Sequence, residues 1–194
     1  MFETLVRAVE KARENAAFFR KADLHVHSYE SHDFPQRSQK DCAATDLSAD
    51  DYVETPRDFL RRARLPERGL DIVAITDHNK CRTACEISRL APKGALVLPG
   101  MEISIQCDEI APDSIHLVAI FPTGTAPEDI ERIFLDSGMP AYESRDVNAK
   151  VTKLRLTNLV KRIHETGGLC VAAHVNLEGG TEALPSSWTI QPLD

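Results

Sequence analysis

The chain has 194 residues, 42% of them hydrophobic and 27% charged, which fits a single globular domain with a sizeable core. Its net charge of −7 leaves no bulk electrostatic footprint for nucleic acid or an acidic membrane surface, although a local basic cleft remains compatible with it. No run approaches the roughly 20 apolar residues of a membrane span, and five cysteines without a Cys-x-x-Cys pair argue against a disulfide framework and for a reducing cytoplasm.

Residues 2 to 20 are charged throughout, lack the apolar core of a signal peptide and read as an amphipathic helix. The first expected strand, 22 to 27, is ADLHVH. Successive side chains of an extended strand alternate faces, so His25 and His27 point one way and Leu24 and Val26 the other. Two imidazoles on rigid backbone can serve as a metal-ligand pair, since neutral imidazole is a common ligand and little entropy is lost on binding. Taken alone, a His-x-His pair is more often the polar face of a half-exposed strand. Residues 33 to 56 are polar and aperiodic, a surface excursion that either covers a site or is disordered.

A helix over 56 to 65 follows, then a strand over 71 to 76, DIVAIT, that runs into Asp77 and His78. The helix over 80 to 90 carries Cys81 and Cys85 four residues apart, a spacing that reads as packing. Strands are expected over 95 to 105, with Glu102 near the far end, and over 115 to 121, with His116 at the start. Helices over 127 to 136 and 152 to 166 come next; the second puts Leu156, Leu159, Val160 and Ile163 on one face, and Gly167-Gly168 stops it. A last strand over 169 to 175 ends near His174. Such an order is that of an α/β protein, either a barrel or a doubly wound sheet.

Metal-type ligands recur at one end of strand after strand: His25 and His27, His78, Glu102 and His174. The carboxyl ends of parallel strands converge on one mouth, so these residues can meet in space. His116 begins its strand and reaches that mouth only if its strand returns antiparallel to the one carrying Glu102. His32, in the loop after His27, is a further candidate ligand, whereas His164, in the last turn of a helix, suits the negative end of the helix dipole.

The motifs DLHVHS, ITDHN, PGMEIS, IHLVAIF and AAHV, in that order over about residues 20 to 180, resemble those of the PHP (polymerase and histidinol phosphatase) superfamily. The resemblance implies a distorted seven-stranded (β/α) barrel, possessing a cluster of up to three divalent metals (zinc, manganese or iron), that hydrolyses phosphoesters with metal-activated water. Carried onto this chain, it implies that His25, His27 and Glu102 hold one ion. Glu102 would bridge to a second, also held by His116 and His174, and His78 would bind a third with His32. Asp23 and Asp77 become carboxylates that orient imidazoles or touch substrate, and Arg145, Lys150 and Lys153 become candidate phosphate contacts beside the alternative of solvated charges.

Members of the superfamily usually finish with an Asp-x-His motif, and none follows His174 here. The expectation is therefore one PHP-type domain over 1 to 194 that lacks its C-terminal portion, similar to the PHP domains that precede larger ATPase regions. Its substrate would be a phosphorylated small molecule or a nucleic-acid end, with no membrane partner. The alternative is a catalytically weak module with a structural or regulatory role in a larger ATPase or nucleic-acid-processing protein; an amidohydrolase-like enzyme could share the metal chemistry but lacks support from the motif set.

Overall fold

Short β-branched runs become strands and the longer runs of helical period become helices in the computed structural model, which describes residues 20–31, 55–65, 69–106, 115–145 and 149–173. In chain order these are β1 (Ala22–Val26), α1 (Pro56–Ala63), β2 (Ile72–Ile75), α2 (Arg82–Leu90), β3 (Leu96–Ile105), β4 (Ile115–Ile120), α3 (Pro127–Asp136), α4 (Leu156–Glu165) and β5 (Leu169–Ala172). A 3-10 turn, Tyr142–Ser144, precedes α4. The helix expected over 2 to 20 lies, up to residue 19, outside the described residues, as does the surface excursion up to residue 54. Among the described residues no helix is long and apolar enough to cross a membrane.

The strands form one sheet in the order β1-β2-β3-β4-β5. β1, β2 and β3 are parallel, whereas β4 runs antiparallel to both β3 and β5, so β5 points the same way as the first three. The result is a mixed α/β fold whose curled sheet is half a barrel, the distorted and incomplete barrel that the sequence leads one to expect.

Alternation along the strands separates two faces. Val73, Ile75 and Val97 pack with Phe59 of α1 and with Ala84 and Ile87 of α2. Met101, Ile103, Leu117 and Ala119 pack with Ile130, Ile133 and Phe134 of α3 and with Leu159 and Ile163 of α4. Burying each of these side chains larger than alanine contributes about 1.5 to 3 kcal/mol, which anchors the helices to this one face. The intervening residues belong to the other face, where Ala74, Leu98, Val118 and Ile120 make a smaller apolar cluster with Ala173. Glu102 and His116, with the parity of Leu98 and Val118, share that face.

Local signals set the helix ends. The Thr55 hydroxyl accepts the Asp58 N–H at 3.2 Å, Pro56 opens α1, and Arg64 closes it with a left-handed φ of 44°. Gly167, at φ 78°, ends α4, and the Gly168 N–H returns to the Ile163 carbonyl at 2.9 Å. His164 is exposed in the last turn of that helix, where a cation meets the negative end of the dipole.

Candidate metal centre

The parallel strands deliver their carboxyl ends side by side. The Thr76 N–H donates to the Val26 carbonyl at 2.8 Å, and His78 makes a parallel bridge to Glu102. The antiparallel return of β4 places His116 opposite Ser104 and diagonal to Glu102 on the same face. The strand reversal required by the position of His116 is therefore present. β5 follows the direction of β1–β3, and the Ala173 N–H donates to the His116 carbonyl at 3.4 Å. His174 and His32 lie outside the described residues.

Four imidazoles converge on one carboxylate. Glu102 is fully buried, and its Oε2 lies 3.4 Å from His25 Nε2, 3.1 Å from His27 Nε2 and 3.3 Å from His78 Nδ1. Its Oε1 lies 2.7 Å from His116 Nδ1. The rings themselves meet edge to face, with centroids 5.0 Å apart for His25 and His27, and 4.5 Å apart for His27 and His78. Burial raises the proton affinity of the Glu102 carboxyl, but hydrogen bonds from His116 and His27 and the charges of His78 and His25 outweigh it and hold the group well below the usual carboxylate range.

Two donor groups result, His25 with His27 and Glu102, and His78 with Glu102 and His116, each spaced so that one ion could bind all three. The donor chemistry fits a divalent cation, because neutral imidazole nitrogens and a shared carboxylate are the ligands that zinc, manganese and iron accept. In this grouping His78 joins Glu102 and His116, whereas the family resemblance implies a separate third ion for it; the parallel bridge sets its backbone beside that of Glu102, and its Nδ1 lies 3.3 Å from Oε2.

Hydroxyls fix two of the rings. His25 Nδ1 lies 2.9 Å from Thr76 Oγ1, and His27 Nδ1 lies 2.8 Å from Ser31 Oγ, which leaves each Nε2 facing Glu102. Neither hydroxyl stands out in the sequence, since Thr76 reads as the end of a strand and Ser31 as loop. Asp23 is exposed and accepts the His25 N–H at 3.3 Å, at the point where the pairing of β1 with β2 shifts register. Asp77 is buried and accepts the Ser28 N–H at 2.5 Å and the Ser28 hydroxyl at 2.6 Å. Both carboxylates thus act on the backbone that carries the imidazoles. Burial pushes the Asp77 carboxyl up to about 6 against those two hydrogen bonds.

Glu30 is a second feature that sequence reading missed. Its carboxylate accepts from Lys80 Nζ at 3.2 Å, Thr83 Oγ1 at 2.8 Å and the Tyr142 hydroxyl at 3.0 Å, tying the turn after β1 to α2 and to the 3-10 turn. Burial opposes ionisation there, but these three donors and the Lys80 charge hold Glu30 below the usual carboxylate range.

Arg145, a candidate phosphate contact from sequence, is buried. Its Nε donates to the Pro140 carbonyl at 2.8 Å, its Nη1 to the Asn79 carbonyl at 3.0 Å, and its Nη2 pairs with Glu131 Oε2 at 2.5 Å, so the guanidinium is turned into the protein. Lys150 is half-buried and Lys153 exposed, on a segment whose Val151 bridges Ile105 at the carboxyl end of β3. Cys81 and Cys85 are free thiols inside the packing of α2. Their mutual hydrogen bond, burial and the Glu131 carboxylate push the Cys81 thiol up.

No family model matches the chain. Over 121 residues it is 35% identical to uncharacterized protein MJ1587 of Methanocaldococcus jannaschii, a match that covers 61% of this chain and 64% of that one. Among solved structures, an amidohydrolase from Chromobacterium violaceum, determined with sulfate and no metal, is similar with a TM-score of 0.44 and 15% identity over 77% of this chain and 65% of that one.

Proposed function

We propose that this chain is a metal-dependent hydrolase of phosphoesters, with two or three divalent ions held by His25, His27, His78, Glu102 and His116, and by His32 and His174 outside the described residues. The observation that carries the reading is the convergence of four imidazoles, two on strands β1 and β4 and two just past the ends of β1 and β2, on the buried carboxylate of Glu102. A carboxylate removed from water needs compensating charge, which a divalent cation held between it and the imidazole lone pairs would supply.

When bound, divalent ions would supply Lewis-acid stabilisation of phosphoryl oxygens and lower the pKa of water to about 7 in favourable sites. The residues of the chain do the rest. Glu102 belongs to both donor groups, with Oε2 beside His25, His27 and His78 and Oε1 beside His116, and so would be shared between two ions. Thr76 and Ser31 keep the His25 and His27 rings oriented before any ion arrives. Lys150 and Lys153 are the remaining candidates for the substrate phosphate, because their segment is bridged to β3 three residues past Glu102. The substrate is a phosphorylated small molecule or a nucleic-acid end, the ions zinc, manganese or iron, the setting cytoplasmic, and a C-terminal ATPase region a partner within a longer protein.

The test is elemental analysis of protein purified without added metal, together with hydrolysis of an aryl phosphate ester with and without manganese. Two or more transition-metal ions per chain and manganese-dependent turnover are expected. Bound metal without turnover, or turnover indifferent to chelator, would remove the phosphoesterase reading; the first outcome would favour a binding module. Alanine at Lys150 or Lys153 should raise KM and leave kcat nearly unchanged, and an unaltered KM would dismiss them as phosphate contacts.

A further inference from the structure

We propose that Asn79 is a positioning residue that couples His78 to Glu102 and so assembles the second donor group selectively; this rests on the metal reading above. Asn79 follows His78 directly, is buried, and has a left-handed φ of 54°, one of two such non-glycine residues among those described. Asparagine tolerates that conformation better than most side chains, and here every polar group it owns is engaged.

Its N–H donates to the Glu102 carbonyl at 2.8 Å, and its side-chain Oδ1 accepts the Ser104 N–H at 3.1 Å. Its Nδ2 donates to the Ala149 carbonyl at 2.8 Å, and its own carbonyl accepts from Arg145 Nη1 at 3.0 Å. One residue therefore grips β3 at two positions that bracket Ile103, and at the same time holds the strand-like segment whose Val151 N–H donates to the Ser104 carbonyl at 2.8 Å. The consequence is geometric. The backbone bond to Glu102 alone is a single pivot, and the side-chain bonds to Ser104 and Ala149 turn it into a fixed attachment, so that His78 cannot shift along β3 and its Nδ1 stays 3.3 Å from Glu102 Oε2.

The first donor group is held by other means. His25 rests on Thr76, His27 on Ser31, and the turn after them on Asp77, all through contacts that do not involve Asn79. Loss of the Asn79 side chain should therefore weaken the ion bound by His78, Glu102 and His116 and spare the ion bound by His25, His27 and Glu102. A general loss of structure would weaken both alike.

The experiment is titration of the metal-free full chain with cobalt(II), read by its visible absorption and by calorimetry, for the wild type, Asn79→Gly and Asn79→Asp. Glycine adopts the left-handed backbone without strain, so Asn79→Gly removes the side-chain bonds alone, with folding checked by circular dichroism. Asn79→Asp keeps the acceptor for Ser104 and loses the donor to Ala149. In Asn79→Gly the second equivalent should bind about 10 to 100 times more weakly, the range for partners that orient ligands, with the first nearly unchanged; Asn79→Asp should fall between. Two equivalents bound as in the wild type, or equal weakening of both, would overturn the inference while leaving the metal reading intact. A wild-type chain that binds no ion would remove the metal reading, and this inference with it.

Discussion

Two buried carboxylates, Glu102 on β3 and Glu131 on α3, meet the cost of burial in opposite ways. Glu131 lies 2.5 Å from the Arg145 guanidinium and 3.3 Å from the Cys81 thiol. Arginine keeps its proton at any ordinary pH and has no lone pair to offer, so that pair is a closed structural unit. Glu102 is surrounded instead by imidazoles, whose ring nitrogens can offer lone pairs to a metal ion. The same burial thus makes a brace in one place and a candidate ligand in the other, and the chemistry of the neighbours decides which.

The largest expected effect is on Glu102. Glu102→Gln should abolish binding of both ions, since each donor group uses this carboxylate. The metal-free variant should keep most of its thermal stability, because neutral imidazoles and an amide can still hydrogen-bond. Retention of two ions by this variant would erase the contrast with Glu131. Glu131→Ala should behave in the opposite sense, leaving the Arg145 charge buried without its partner at a cost of about 3 to 5 kcal/mol. Thermal unfolding of the metal-free protein should then show Tm lower by roughly 6 to 20 °C at about 2 to 4 °C per kcal/mol. A Tm within error of wild type would mean that the pair contributes nothing.

Gly100 sharpens the comparison from within β3. A Cβ there would stand 2.6 Å from the Ala119 carbonyl, 2.8 Å from the Thr76 side chain at Cγ2 and 3.2 Å from the Ile75 carbonyl, so that backbone crowds it from both neighbouring strands. Gly100→Ala should cost about 1 to 3 kcal/mol by overpacking and weaken metal binding as well, because it moves β3 against the strand that carries Thr76. Unfolding in urea together with a cobalt titration measures both, and a loss of stability with metal affinity unchanged would separate the packing of β3 from the centre. The smallest effects belong to the hydroxyls. Thr76→Val and Ser31→Ala should each weaken the ion held by His25 and His27 by about tenfold, toward the lower limit for partners that orient imidazoles. Equal weakening of the other ion would show that these hydroxyls do not act through His25 and His27.

Much of the architecture was legible because burial on a sheet selects β-branched runs and burial of a helix face selects period. DIVAIT became β2 at Ile72–Ile75, and the face of Leu159 and Ile163 became the core side of α4. The reversal of β4 could be inferred from His116 standing first in its strand, since only an antiparallel return brings it to Glu102. Arg145 was not legible, because an arginine in a loop reads the same whether it faces solvent or a buried glutamate. Thr76, Ser31, Asn79 and Glu30 were equally silent, for their partners lie tens of residues away or depend on a turn whose shape is not written in its composition.

By itself the sequence determined the alternation of strands and helices and the spacing of His25, His27, His78, Glu102 and His116, because periodicity and residue type are local properties that any chain segment displays. Tertiary structure alone decided which of those residues share an ion-sized space, which carboxylate is braced by arginine and which is ringed by imidazoles, and which hydroxyls hold the rings. Such pairings depend on strand order and register, and these emerge only when separate faces pack together.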